Sequence, residues 1–230
     1  KPTSASYGAS MARFARLVVP GYPHHVTQRG VRSVDIFTDD EDRLAYLDFM
    51  KEESHRFGVT FLAWCLMTNH LHLIAIPRAE DSLARAIGEA HRRYTRRKNF
   101  VEGVRGYLFQ GRFGSCVLDQ RHLLAAGRYV ERNPVKAGMA EKATDYRWSS
   151  ARYNCGLAES DPLIRERTLP AMVDDWFSFL LEEEKDVESK VLQAVRTGRP
   201  AGDEAFIEKL ESATGRILMP RKPGRRRKEK

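Results

Sequence analysis

Two histidines one residue apart, and a tyrosine four residues ahead of an asparagine, are the places where this chain could do chemistry. His70 and His72 lie in HLHLIAI, and on a strand alternate residues face the same way, so both imidazoles project from one side while Leu71 and Leu73 face the other. Two histidines cannot close a structural metal site. An ion held there would keep positions open for a third ligand, water or a phosphate oxygen. Taken alone, the pair is more often a set of hydrogen-bonded strand histidines with no catalytic role. Tyr129 and Asn133 are one helical turn apart on one face, so a hydroxyl and an amide can converge. The simpler alternative is a half-buried helix tyrosine and a terminator before Pro134.

The elements that must carry these residues follow from local pattern. Tyr22 to Gln28 reads as a strand, and Asp39 to Phe57 as a helix with acidic start residues, stopped by Gly58. Val59 to Leu66 and His70 to Ile76 are apolar strands joined by a turn at Thr68-Asn69, and Pro77 closes the second. Ser82 is expected to cap a helix reaching about Lys98. Tyr107 to Leu118 supplies a fourth strand, and Asp119 or Gln120 opens a helix that is expected to end by Asn133, because Pro134 follows. The order strand, helix, strand, strand, helix, strand, helix predicts an α+β fold of ferredoxin-like or RRM-like type: an antiparallel sheet with helices on one face.

The remaining chain divides by composition. Residues 1–10 are small and polar and precede Met11; they are read as a cloning remnant or disordered leader and left out of the fold. Residues 11–156 hold every motif of interest and form the expected catalytic domain, so a chain ending at Gly156 is expected to fold. Residues 157–219 read as a helical extension with a TGRPAG break, and 220–230 as a basic tail.

Lys and Arg number 39 against 31 Asp and Glu, a net charge of +8, and the clustering of that excess favours a polyanionic partner. Its densest core run is Arg92, Arg93, Arg96, Arg97 and Lys98 around Tyr94, suited to a DNA backbone with aromatic stacking, or else a solvated helix end. Arg29 and Arg112, in turns or strand ends, are further phosphate contacts, and Arg221, Arg225, Arg226 and Arg227 form a basic arm or a solubilising tail. Three cysteines without paired spacing exclude a disulfide framework and a cysteine zinc site. No apolar run approaches the ~20 residues of a membrane helix, so a cytoplasmic protein is expected, with no membrane partner.

Four segments then carry a resemblance: MTNHLHLI (Met67 to Ile74), FQGRF (Phe109 to Phe113), YVERNPVKAGM (Tyr129 to Met139) and YRWSSARY (Tyr146 to Tyr153). In this order and spacing, over about Met11 to Gly156, they resemble the insertion-sequence-200-like single-tyrosine HUH transposases, and most of all the REP-associated tyrosine transposases. The resemblance implies a bacterial, nucleoid-associated enzyme that cuts and rejoins single-stranded or hairpin DNA through a 5′-phosphotyrosine on Tyr129. It implies a divalent ion, Mg or Mn, on His70 and His72, although imidazoles alone lean toward zinc. Many transposon members carry glutamine four residues after the tyrosine as third ligand; Asn133 stands here, as in the REP-associated group. The resemblance leaves open whether the enzyme is a monomer or a homodimer. The alternative function, a hairpin DNA-binding protein on the same fold that no longer cuts, is opposed by the presence of all four residues. An RNA-recognition module would need stacking aromatics on the strand that instead reads His-Leu-His.

Overall fold

The computed structural model describes residues 16–182 and 185–219. Leader residues 1–10 and the tail arginines Arg221, Arg225, Arg226 and Arg227 therefore lie outside the described residues.

The chain runs β1 (His24–Arg29), α1 (Asp40–Phe57), β2 (Val59–Leu66), β3 (His70–Pro77), α2 (Ser82–Glu102), β4 (Gly114–Val117), α3 (Gln120–Lys136), α4 (Ala151–Asn154), α5 (Trp176–Leu181), α6 (Lys185–Thr197) and α7 (Glu204–Thr214). The strands form one antiparallel sheet in the order β2-β3-β1-β4. This is the α+β architecture that the pattern predicts.

Local chemistry explains most boundaries. Asp39 caps α1 by accepting from the Asp42 N–H at 2.8 Å, and Gly58 ends the helix in the left-handed region at φ 68°. Asp119 caps α3 in the same way through the His122 N–H. Three boundaries differ from expectation. Strand β4 spans Gly114–Val117 rather than Tyr107 to Leu118, because the chain before it turns at Gly106 and Gly111, both at positive φ. Helix α2 continues past Lys98 to Glu102, where Gly103 supplies the left-handed residue, and the Ser82 hydroxyl accepts from the Ala79 N–H, closing the turn before the helix. Helix α3 does not stop at Asn133 but runs through Pro134 to Lys136. So close to the C-terminus the missing proline N–H costs a single bond, to the Val130 carbonyl, and the last turn closes through the Ala137 N–H on Asn133 and the Met139 N–H on Pro134.

Helices α1 and α2 share one face of the sheet, packing Tyr46, Leu47, Met50, Leu83, Ile87 and Tyr94 against Val26, Phe61, Trp64, Leu71 and Leu73. The opposite face is covered as well. There α3 and the extension bury Leu123, Ala126, Val130, Trp176, Val191 and Val195 against Leu62, Cys65, Ile74 and Cys116. The pattern along the chain did not separate α3 into this second layer. A bulge between Phe61 and Ala63 lets β2 serve both clusters, turning Leu62 and Ala63 to α3 and Trp64 back to the α1–α2 side.

The extension completes this second layer. Gly127 lets it approach α3 closely: a Cβ there would meet Leu169 Cδ1 at 2.8 Å and the Trp176 ring at 3.2 Å. Trp176 Nε1 donates to Glu131 at 2.7 Å, and Asp161 accepts from Trp64 Nε1 at 3.0 Å. Apolar burial thus runs continuously across the 156/157 division drawn from the span of the motifs.

Candidate active site

The site forms where the middle of the sheet meets α3. Strand alternation sends His25, Thr27 and Arg29 of β1 to the same face as His70 and His72 of β3, with Thr27 opposite His72 in the register. Tyr129 comes down on this face from α3. Its ring lies 5.4 Å from His72 and 6.0 Å from His25, edge-on to both, and the His70 and His72 rings are 5.2 Å apart. Asn133, one turn on, is buried, and its side-chain amide lies near both Tyr129 and His70. The structure therefore brings His70, His72, Tyr129 and Asn133 together within one chain.

Each histidine has its Nδ1 engaged. His70 Nδ1 lies 2.7 Å from the Asn69 side-chain oxygen, and His72 Nδ1 lies 3.1 Å from His25 Nε2. Because Asn69 Oδ1 can only accept, His70 donates from Nδ1 and keeps the lone pair on Nε2. Burial is the main reason that His70 and His72 titrate below the usual histidine range, His72 far below it; neighbouring His25 and Arg29 reinforce this for His72. Neutral imidazoles are the form a metal requires.

Burial raises the Tyr129 hydroxyl above its ordinary value, and the neighbouring Asn133 amide opposes this. Lys136, whose ammonium is 4.9 Å from the Tyr129 ring centre, is tied by an ion pair to Glu188 of α6.

These residues open into a cavity of about 520 Å³ walled by β1, β3, the loop Gln110–Gly114, and the end of α6 from Leu192 to Gly198. Four arginines line it, Arg16, Arg29, Arg112 and Arg196, and among its described lining residues there is no Asp or Glu. Arg16 stacks on Phe113 with its guanidinium 3.5 Å from the ring centre. Burial, and then the like charge of Arg112, lower its pKa to about 10. Cations this close without a carboxylate between them call for an anion.

The other basic residues singled out in the sequence are placed elsewhere. Arg92 pairs with Glu89, Arg93 with Glu52 and Glu53, and Arg97 with Asp42 and Glu41. Lys98 is buried between Asp42 and Glu102, and Tyr94 is wholly buried with its hydroxyl on the Ile36 carbonyl. Arg96 is exposed on the same helix; none of the six lines the cavity.

Arg16, Thr27, Arg196 and His25 were not found by sequence reasoning. For His25 a signal existed: it lies four residues before Arg29, hence on the same strand face, but nothing in the sequence names the neighbouring strand. Glu131 was also missed. It is fully buried beside Tyr129 on α3, accepts from Ser150 and Asn154 at 2.6 Å and from Trp176, and burial pushes its carboxyl up to about 7.

The residues present fit a divalent ion of the open kind. Two neutral imidazoles have Nδ1 already taken, an amide lies beside them, and the arginine-lined cavity leaves room for phosphate oxygens. Among the described residues no group of three or more His, Cys, Asp or Glu forms a closed metal cluster, and no helix is long and apolar enough to cross a membrane.

Comparison with known proteins bears on the family and the fold. Residues 20–133, which hold all four of the converging residues, match the family model described as "Transposase IS200 like". Among solved structures, a REP-associated tyrosine transposase bound to a REP hairpin superposes with a TM-score of 0.55 at 16% identity, covering 68% of this chain and 92% of that one. A protein from Deinococcus radiodurans, provisionally described as a transposase, matches at 16% identity with a TM-score of 0.38, over 53% of this chain and 97% of its own. Among curated proteins, none matches the chain. The fold, the converging residues and the matched family model agree: the chain belongs to the IS200-like transposases.

Proposed function

We propose that this transposase is a metal-dependent single-strand DNA endonuclease and strand transferase in which Tyr129 is the nucleophile. The observation that carries the reading is the convergence of Tyr129, Asn133, His70 and His72 at the wall of a cavity with four arginines and no carboxylate among its described lining residues.

In the proposed step, Tyr129 Oη attacks a DNA phosphorus, the Oη–P bond forms and the P–O3′ bond breaks. The phenol proton leaves to water and the departing oxygen takes up a proton as a 3′-OH. A tyrosine raised by burial is a poor nucleophile, and the neighbouring Asn133 amide favours the phenolate. His70 and His72 would hold a divalent ion, Mg or Mn, with Asn133 beside them. When bound, it supplies Lewis acidity to the scissile phosphate. Arg29, Arg112, Arg16 and Arg196 would hold the flanking phosphates and spread the developing charge. The phosphotyrosine preserves the phosphodiester bond energy, so a later 3′-OH can displace Tyr129 without ATP. The convergence of nucleophile and histidines within one chain supports a reading in which Tyr129 serves its own site.

Hairpin DNA is the proposed substrate by analogy with the REP-associated neighbour, and the bacterial cytoplasm the proposed location. Incubation of labelled hairpin DNA carrying a single-stranded flank with Mg or Mn, followed by denaturing electrophoresis, tests the reading. A labelled protein band together with a shortened 3′-OH strand is expected. A retarded complex in a native gel with neither product would favour the non-cleaving binder.

A further inference from the structure

Among the described residues His25 is the one ring in contact with both His72 and Tyr129, yet it has no place in the step above. It lies on β1 with no exposed surface, its Nε2 3.1 Å from His72 Nδ1, and its ring within 6.0 Å of the Tyr129 ring. Its own Nδ1 is buried and has no hydrogen-bond partner. Such an atom costs stability, about 1–3 kcal/mol in general, and replacing the whole residue by an apolar one would remove that cost. A buried imidazole with one nitrogen orphaned points to a task for the other nitrogen.

We propose that His25 is a positioning residue for the metal site: it holds His72 as the Nδ1–H tautomer and fixes its ring, so that the Nε2 lone pair faces the cavity. The proposal rests on the metal-site reading above. Between two neutral imidazoles only one proton can occupy the 3.1 Å gap. If it belongs to His25 Nε2, His72 accepts through Nδ1, carries its proton on Nε2 and cannot ligate. If it belongs to His72 Nδ1, His25 accepts through Nε2, and His72 offers Nε2 as a ligand. His70 is fixed in the matching state by a different device, the Asn69 oxygen at 2.7 Å, which can only accept. The two ligands would thus be set by unlike partners. An amide oxygen fixes the first on its own. An imidazole fixes the second only by carrying its own proton on Nδ1, the atom without a partner.

This device is distinct from simple packing, and substitution separates the two. His25→Phe keeps a ring of similar size but has no acceptor, whereas His25→Gln places an amide oxygen near the position of Nε2. The full chain is used throughout, with three readouts that need no cleavage: ¹⁵N–¹H correlation of the His72 side chain, Mn²⁺ affinity by calorimetry, and hairpin binding in EDTA. In the wild type, His72 is expected as the Nδ1–H tautomer. His25→Phe should weaken Mn²⁺ binding by ~10- to 100-fold and leave hairpin affinity in EDTA unchanged, and His25→Gln should recover most of the Mn²⁺ affinity.

A wild-type His72 protonated on Nε2 with Mn²⁺ absent and Nδ1 accepting overturns the proposal, as does His25→Phe binding Mn²⁺ like the wild type. The wild-type spectrum decides the matter even if His25→Phe does not fold. A wild type that binds no Mn²⁺ but shows His72 as Nδ1–H would count against the metal reading of the site and leave the tautomer assignment standing.

Discussion

The two faces of the sheet use the same kinds of residue in opposite ways. On the α1–α2 side, Arg92, Arg93, Arg97 and Lys98 are matched to Glu89, Glu52, Glu53, Asp42 and Glu102, and three aromatic rings, Phe37, Tyr46 and Tyr94, pack together beneath them. On the α3 side, Arg16, Arg29, Arg112 and Arg196 line a cavity with no carboxylate among its described lining residues, and the tyrosine there, Tyr129, is only half-buried. A run of basic residues thus carries no functional meaning until its partners are known. The denser cluster is the neutralised one, and the scattered arginines converge.

The tyrosines give the sharpest way to break this contrast. Tyr129→Phe should reduce the covalent protein–DNA adduct and the 3′-OH product to background together, with folding retained, as read on a denaturing gel. Tyr94→Phe should keep both products while losing about 1 kcal/mol of stability, because it deletes one buried hydrogen bond to Ile36. The reverse result would reassign the nucleophile.

Ending the chain at Gly156 removes Leu169, Trp176, Val191 and Val195 from the cluster over Ile74, Cys116 and Val130. The expected outcome is loss of a cooperative melting transition and exposure of apolar surface to a hydrophobic dye. A sharp transition near the full-length temperature would mean that the α3 side is self-sufficient, as the motif span alone implies.

Asp42→Ala leaves the buried Lys98 ammonium with Glu102 and Thr38 alone and should cost roughly 1–3 kcal/mol in denaturant unfolding. Hairpin affinity of the folded fraction should not change, since this charge belongs to the neutralised face.

Acid should weaken the protein through its buried histidines. His24 titrates near about 4 and His25 and His91 near about 3, each lowered by burial, while the unfolded chain takes up protons near 6.5. The folded values are depressed, so stability is full above the unfolded value and falls as pH drops below it toward 3, by roughly 1 kcal/mol per ring at pH 5.5. Glu131, raised to about 7, acts in the opposite sense, its contribution fading as pH rises from the unfolded value through 7, but it is one group against three. Melting temperature should therefore decline between pH 6.5 and 5; a rise over this range would contradict the balance.

The smallest effects distinguish the two sets of arginines directly. Arg112→Ala should lower hairpin affinity several-fold and reduce the salt slope by roughly one counterion, whereas Arg92→Ala should alter neither. Equal losses would place DNA on both faces.

How far the sequence discloses this arrangement follows from the range of the forces involved. Caps and breakers act within a few residues, so Asp39, Gly58 and Pro77 mark their boundaries correctly, and strand parity alone aligns His70 with His72. Pro134 misleads because the cost of one lost hydrogen bond depends on how much helix follows, and only two helical residues do. The α1 partners of Arg93 and Arg97 lie 40 and 55 residues away, and those of Glu131 on two other segments; no local pattern encodes such pairings. His25 stays hidden for the same reason, since its significance comes from the strand that docks beside it.

The outer strands of the sheet carry a consequence for assembly. Along β2 the backbone is engaged by the segment Trp148–Ser150: Leu66 N–H donates to the Trp148 carbonyl, and Ser150 N–H donates to the Trp64 carbonyl while its hydroxyl accepts from the Trp64 N–H. At the far side, the end of β4 is engaged by Ala201, which donates to the Val117 carbonyl and accepts from the Asp119 N–H. Neither flank offers a long row of vacant amides for another strand to join. A second copy of the chain would therefore have to dock through side-chain surfaces, since a continuous intermolecular sheet would first require one of these flanking segments to peel away.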